Sequence, residues 1–411
     1  MTAQSKVRSQ AEPPTDGARR TPWVLAVLGM LMSFSSIATD IYLPAMPSMA
    51  RALGAQPGGL ELTISGYLIG FSLGQLVWGP IGDRFGRRGP IAAGLVLFLL
   101  GCAGCALSQS VEQVIAWRVV QAAGACAGVV LARAMVRDLY QGDRAAQMLS
   151  TLITIMAVGP LLGPILGGQV LLVASWRTIF WILAAIGAAT LAALATLPET
   201  LPAERRSRQS PGQALAGYWM LLRQRRVVGY VMAGAFFCVG FFAYLAGSPF
   251  AYIEFHHVPA QSYGLLFALG VLGVMASNTI NARVVRRIGI DRSLRLGGLG
   301  VVVAAAALAV NATTGWGGLA GLVASLFVFV SMQGFILANA MAGALQPFPQ
   351  AAGAVSALAG ALQYGAGIVG STLVGLLADD TPRPMAWVIA VAAAGVLASV
   401  LGLPRPNRPE T

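Results

Sequence analysis

"GPIGDRFGRRG", residues 79 to 89, interrupts two long apolar runs with glycine, arginine and a single aspartate. The flanking runs, 60–80 and 89–108, are each close to the ~20 residues that cross a bilayer as a helix. Gly79, Gly82 and Gly86 allow a tight turn between two helices. Asp83 can meet the positive charges and helix ends around it. A basic turn between two apolar runs belongs at a membrane surface, so this stretch reads as the tip of a transmembrane helical hairpin.

The whole chain fits that reading. It has 411 residues, 56% of them hydrophobic and only 10% charged, with a mean hydropathy of +0.72. Soluble domains carry about 25% charged residues, so the composition points to a multi-span membrane protein. Twelve apolar runs are read at 22–46, 60–80, 89–108, 112–135, 146–170, 177–197, 227–252, 261–283, 293–313, 315–340, 351–378 and 384–404. The first is too long for a removable signal peptide and reads as the first span.

The net charge of +12 is sorted by loop. With the amino terminus taken as cytoplasmic, every one of the 27 Lys and Arg residues falls on that side except Arg51, Arg177, Arg383 and the intramembrane Arg118. That is the positive-inside pattern, and it places both termini in the cytoplasm. The basic charge is therefore topological, and no nucleic-acid partner is expected. The long polar interruption "PETLPAERRSRQSPGQALAGYWMLLRQRR", 198–226, falls after the sixth span. It divides an all-α membrane protein of twelve transmembrane helices into two six-helix bundles, 22–197 and 227–404. A cytoplasmic tail is expected at 1–21 and another at 405–411.

Enzyme chemistry finds no support. Cys102, Cys105, Cys126 and Cys238 lie within spans with no histidine at their depth, and read as small packing residues. His256 and His257 share an outer loop. Neither a metal nor a cofactor is expected.

Two charges inside spans stand apart. Asp40, in "IATDIYLPAMP" (37–47), lies about seven residues from the outer end of the first run; Arg118 lies about six from the outer end of the fourth. At ~1.5 Å of rise per residue both are ~10 Å below the surface. Gly29, Ser33, Ser36 and Asp40 share one helical stripe, as do Arg118, Gln121 and Ala125. Facing one another, these small or polar stripes would wall a wet cavity. Asp40 and Arg118 are thus expected to form an unlike-charge pair, since intramembrane charges seek partners. Pro44 and Pro47 are expected to close the first span just outside Asp40.

In the fifth run, "AVGPLLGPILGG" (157–168) places Pro160 and Pro164 four residues apart among Gly159, Gly163, Gly167 and Gly168. Each proline removes a helix hydrogen bond and is expected to bend the span, and the flanking glycines let it bend against a neighbour. In the seventh run Phe237, Phe241, Tyr244 and Ser248 form a stripe that could stack on a flat or amphipathic compound. Ser36, Tyr67, Gln121 and Gln363 are polar candidates for the same cavity.

These motifs resemble those of the major facilitator superfamily. Gly79, Asp83, Arg84, Gly86, Arg87 and Arg88 match its signature loop, which the resemblance implies latches the two halves in the outward-open state. The corresponding "NARVVRRIGIDR", from Asn281, keeps the arginines but lacks an acid at the matching place. The spacing at Arg118, Gln121 and Gly124 is similar to the superfamily's fourth-span motif, which implies that Arg118 takes part in proton coupling. The fifth-span motif resembles that of the antiporter branch. Together with "TDIYLPAMP", "RAMVRDLY" (133–140) and "AYLAGSPFAYIE" (243–254), these stretches look like the bicyclomycin- and chloramphenicol-resistance type of drug:proton antiporter. The resemblance implies a monomer in the bacterial inner membrane, surrounded by lipid, that exports small lipophilic drug-like compounds in exchange for protons by alternating access. Import, or export of a metabolite, by the same fold is the alternative. Some relatives carry a second acid two turns before the aspartate, where this chain has Met32.

Overall fold

The computed structural model describes residues 16–206, 218–348 and 351–403. Residues 1–15, 207–217, 349–350 and 404–411 lie outside the described residues, and with them most of the expected tail 1–21, all of the tail 405–411 and part of the linker 198–226. All regular structure among the described residues is helical. The helices are α1 (Asp16–Asp40), α2 (Met46–Leu53), α3 (Glu61–Phe85), α4 (Arg88–Leu107), α5 (Val111–Leu139), α6 (Gly142–Val173) and α7 (Trp176–Leu194). They continue as α8 (Arg225–Pro249), α9 (Ala260–Ile288), α10 (Ile290–Thr314), α11 (Gly318–Ser331), α12 (Gln333–Leu345), α13 (Ala352–Leu376) and α14 (Arg383–Leu401). Twelve stretches are long and apolar enough to cross a membrane. α1 with α2 makes one of them, and α11 with α12 another. Helices suit this solvent because each satisfies its own backbone hydrogen bonds in lipid.

Several helices outrun their apolar sequence. α3 reaches Phe85 and α9 reaches Ile288, so Asp83, Arg84, Arg286 and Arg287 are helical. Arginine is a good helix former and snorkels to the surface from a helix end. The largest change is in the first span, which runs from Pro22 to Leu53. Pro44 and Pro47 do not close it. Pro44 sits in a short 3-10 turn, Leu43–Ala45, and Pro47 occupies the first turn of α2, where its missing N–H costs nothing. Asp40 therefore marks a break within the span, well below its end.

The glycines of α6 form a helix crossing. A Cβ on Gly167 would lie 1.8 Å from the Ile41 carbonyl oxygen, one on Gly163 3.3 Å from the Ile41 nitrogen, and one on Gly159 3.1 Å from Ile37. The stripe read on α1 thus packs against α6: a Cβ on Gly29 would touch Ile155 at 3.0 Å. That corrects the expectation of a cavity wall between α1 and α5. α6 runs unbroken through Pro160 and Pro164. Gly168 faces the other way, toward Ala260 and Gln261 of α9.

The turn between α3 and α4 needs only one of its three glycines. Gly86 adopts φ +93°, whereas Gly82 lies within α3, packed on Leu131, and Gly79 meets nothing. The reason is that α3 continues to Phe85, leaving just Gly86 and Arg87 between helices. Arg87 is buried and donates to Asp83 Oδ1 at 2.6 Å and to Asp138 Oδ2 on α5 at 2.8 Å. Glu199, beyond α7, accepts the backbone N–H groups of Arg87 (2.8 Å), Arg88 (3.0 Å) and Leu201 (3.0 Å). Arg88 donates to the Ala195 carbonyl at 2.8 Å, and Arg84 lies over its neighbour Phe85. Partial burial pushes the Glu199 carboxyl up, but the backbone donors around it outweigh burial and hold it below its ordinary value.

The first six and last six spans meet along two seams. α3 joins α13 through Ser65 and Ser371 (2.8 Å), Thr372 and Ser65 (2.9 Å), and Ser72 with the Ala361 carbonyl (2.9 Å). α6 joins α9, where a Cβ on Gly264 would lie 2.6 Å from the Ile165 backbone. On the face opposite the termini, Gly58 at φ +83° lets its backbone abut Gly375. On the termini face a cavity of about 610 Å³ is lined by Gln75, Asp83, Arg87, Arg133 and Arg137 on one side and Gly353 and Ser356 on the other.

Two outcomes are expected. Thermal unfolding in detergent should show Gly167→Ala losing the most stability, beyond the ~1–3 kcal/mol usual for overpacking, because backbone meets backbone. Gly159→Ala should lose less, since it meets a side chain that can move. Glu199 has a depressed carboxyl, so its stabilisation is present above its unfolded value of ~4.3 and is lost as pH falls through the lower folded value. Glu199→Gln should therefore be less stable than the parent at neutral pH, and the gap should close on acidification.

Candidate functional site

Arg118 is fully buried on α5. Its guanidinium lies between the rings of Tyr42 (4.2 Å to the centroid) and Tyr67 (4.3 Å). Its Nη1 donates to the Ala38 carbonyl at 2.9 Å and to Gln121 Oε1 at 2.7 Å. Nε and Nη2 have no hydrogen-bond partner among the described residues. Arg118 thereby ties α5 to α1, to the break after α1, and to α3. Cation–π contacts of this kind are worth about 2 kcal/mol when desolvated.

Asp40 is 5% exposed and is the last residue of α1, its Cβ 3.4 Å from where a Cβ on Gly163 of α6 would stand. The expected ion pair with Arg118 does not form. Ion pairs within 4.0 Å among the described residues join Arg51 to Glu254 and Arg87 to Asp83 and Asp138. Among the described residues the Asp40 side chain makes no hydrogen bond either, and Arg118 reaches the carbonyl of Ala38 instead. The reason is the longer first span: Asp40 lies deeper than the sequence placed it, and two tyrosines occupy the faces of the guanidinium.

The polar candidates divide. Tyr67 stacks on Arg118 and donates to the Ser35 carbonyl at 3.3 Å. Gln121 is fully buried and donates to Cys102 Sγ at 3.0 Å, so both its functions are occupied. Ser36 and Gln363 are half-buried; Gln363 packs beside Gly234 of α8. The α8 stripe is largely absorbed by packing. Phe237 stacks on Phe329 (5.4 Å) and Tyr244 on Phe267 (5.9 Å), while Ser248 bonds the Tyr263 hydroxyl (2.9 Å). Phe241, half-buried, touches Phe242 and Tyr244.

The sequence reading passed over three aromatic rings and one buried acid. Phe71 of α3 and Tyr364 of α13 meet across the seam at 4.4 Å, and Phe242 of α8 adds to them at 5.7 Å. Along both helices they stand between the cavity on the termini face and a second one on the opposite face. Phe71 follows Tyr67 by one helical turn, so an aromatic spacing was there to be read. Glu61, at the start of α3, is buried, and it resembled an ordinary acid in a helix's first turn.

The corresponding turn of the last six spans is built without a buried ion pair. Asn281, Ser293 and Asn339 bond one another at 2.6 to 3.1 Å, and Asp291 accepts from Tyr230. Among the described residues no group of His, Cys, Asp and Glu is gathered as a metal site.

Comparison with known proteins agrees with this architecture. The Major Facilitator Superfamily profile matches residues 28–371. An uncharacterised transporter of Bacillus subtilis, YdgK, is 35% identical over 89% of this chain and 92% of its own. A bicyclomycin resistance protein homologue of Haemophilus influenzae is 30% identical, covering 92% and 94%. The chloramphenicol resistance protein of Pseudomonas aeruginosa is 29% identical, covering 92% and 90%. Among solved structures, the Escherichia coli xylose transporter XylE in a partially occluded inward-open form superposes with a TM-score of 0.74 at 15% identity, covering 94% and 98%, which speaks to fold alone. Twelve apolar helices, two seams, the Gly86 turn and the matched profile lead to one conclusion: the chain is a multi-pass membrane protein that belongs to the Major Facilitator Superfamily, among relatives of the bicyclomycin- and chloramphenicol-resistance type.

Proposed function

We propose that this chain exports small lipophilic, drug-like compounds across the bacterial cytoplasmic membrane in exchange for protons, with both termini in the cytoplasm and residues 22–197 and 227–404 moving as two bodies. The observation that carries the reading is Asp40, a buried carboxyl at a helix break with neither an ion-pair partner nor a hydrogen bond. A carboxylate in that position is offset only in part, by the Arg118 charge beyond ion-pair distance, and taking up a proton removes its desolvation cost. Arg118 stays charged throughout, held by Ala38, Gln121 and two rings. Proton gain and loss at Asp40 therefore changes the charge at the α1–α6 crossing and beside the carbonyl that Arg118 holds.

The cycle uses the seams already described. The cavity on the termini face admits a cargo from the cytoplasm, and Phe71, Tyr364 and Phe242, packed on one another beyond its lining in this state, become stacking surfaces as the seam parts. The seams between α3 and α13 and between α6 and α9 part as the bodies rock, exposing Asp40 to the outside. The Arg87 cluster, whose hydrogen bonds among the described residues all lie within the first six spans and the segment after α7, is the latch in its disengaged state. The names of the relatives from Haemophilus influenzae and Pseudomonas aeruginosa support an antibiotic-like cargo, and the α6 motif supports export. No cofactor takes part, and a single chain suffices.

Inverted membrane vesicles with an imposed pH gradient test the reading. Asp40→Asn should insert normally and lose pH-driven transport at least ~10-fold; transport at the parent rate would falsify the role of Asp40. Arg118→Lys keeps the charge but cannot lie flat between two rings while donating to Ala38 and Gln121. Losing the stacking, worth roughly 0.5–2 kcal/mol, should lower its transport about tenfold in the same assay, with the monomeric elution profile retained.

A further inference from the structure

The stretch "RAMVRDLY" (133–140), at the cytoplasmic end of α5, holds two arginines that the transport cycle leaves unused. Arg133 and Arg137 are four residues apart and share one helix face. Both line the cavity of about 610 Å³ on the termini face. Arg133 stands six residues before the end of α5 at Leu139, ~9 Å inside at ~1.5 Å of rise per residue. Charges at such depth seek partners. Among the described residues, however, no ion pair includes either arginine. Asp83 is the one acid in the lining, and Arg87 already bonds it at 2.6 Å. Asp138, next to Arg137 in sequence, is bonded by Arg87 as well, at 2.8 Å.

The facing wall brings no charge. It belongs to α13 and consists of Gly353, Ala354, Ser356 and Ala357. Arg137 already reaches toward it: a Cβ on Gly353 would lie 3.9 Å from the Arg137 Nη1. When the two bodies rock and this face closes, two unpaired guanidiniums lose water against a neutral wall. Burying a charge without a partner is costly, and an anion held between the walls offsets that cost. A guanidinium presents its donors as a planar fork that fits the paired oxygens of a carboxylate or phosphate. Gln75 of α3 and Ser356 of α13 add neutral donors from either side of the seam. Val130, Leu131, Ala354 and Ala357 make the remaining surface apolar, which suits an organic anion over an inorganic one.

We propose that Arg133 and Arg137 bind a small organic oxyanion from the cytoplasm, a phosphate monoester or a carboxylate, with Gln75 and Ser356 as its neutral partners. The ligand is a counter-ion that accompanies closure of the termini face, and it differs in class from the lipophilic cargo. Its part in closure rests on the rocking of the two bodies described above; its binding does not.

The test uses the full-length protein in detergent with no gradient, so its failure is distinct from failure of the export reading. Ala357→Cys places a thiol in the α13 wall, with Ala354→Cys one turn away as a second reporter; the four native cysteines are all buried. Modification by neutral methyl methanethiosulfonate is timed with and without phenyl phosphate. Phenyl phosphate should slow modification about tenfold, and its neutral dimethyl ester should not. Adding Arg133→Gln or Arg137→Gln should raise the protecting concentration by roughly tenfold. Equal protection by the neutral ester, or by sodium chloride at matched ionic strength, would overturn the proposal, as would protection indifferent to both substitutions. Protection by dioleoylphosphatidylglycerol at concentrations below those of phenyl phosphate would overturn it too, by assigning the site to a lipid headgroup. Should Arg133→Gln fail to elute as a folded monomer, Arg137→Gln, at an exposed position near the helix end, carries the test alone.

Discussion

A guanidinium cannot lose its charge, so a fold that buries one must be arranged around it. Arg118 is that constraint here. Tyr42 and Tyr67 cover its two faces, and the Ala38 carbonyl and Gln121 take one end. Those contacts draw α3 and α5 against the end of α1 and place the break after Asp40 where it is. Gln121 in turn passes the interaction to Cys102 on α4. Four of the first six spans are thus oriented by one side chain.

Close backbone contact does the corresponding task elsewhere. Lipid offers little hydrophobic reward for helix association, so spans rely on small residues that let backbones touch. α6 uses one glycine face on α1 and a further glycine on α9, which makes it the element shared between a bundle's interior and the seam. Asp40 is therefore adjacent to a helix that both six-span groups touch. The aromatic contact of Phe71 with Tyr364 lies along the other seam, between the two cavities.

Much of this was legible in one sequence. Twelve apolar runs, the basic loops, the Gly86 turn and the exceptional status of Asp40 and Arg118 are all local patterns, and the chain's family follows from them. Partnerships were not legible. Asp138 lies 51 residues from Arg87, and Glu199 lies 112 from it. Equal distance from a guessed span end suggested an Asp40–Arg118 pair, yet the first span extends to Leu53 and two tyrosines intervene. Tyr42 falls just before Pro44 and Pro47, which were expected to close the span there, and nothing local marked it as a partner of Arg118. Stripe reasoning found the small residues of α1 correctly but could not say that α6, rather than α5, covers them.

The two turns on the termini face are chemically unequal. In the first six spans the buried turn is held by Arg87 with Asp83, Asp138 and Glu199, all charged; in the last six the equivalent region is pinned by the amides and hydroxyl of Asn281, Asn339 and Ser293. Amides and hydroxyls keep their hydrogen bonds at any physiological acidity and at any ionic strength. The termini face therefore has one region held mainly by ion pairs and one held mainly by neutral groups, with the single carboxylate Asp291 bonded by Tyr230, so salt and acid on that face act mostly on the first six spans.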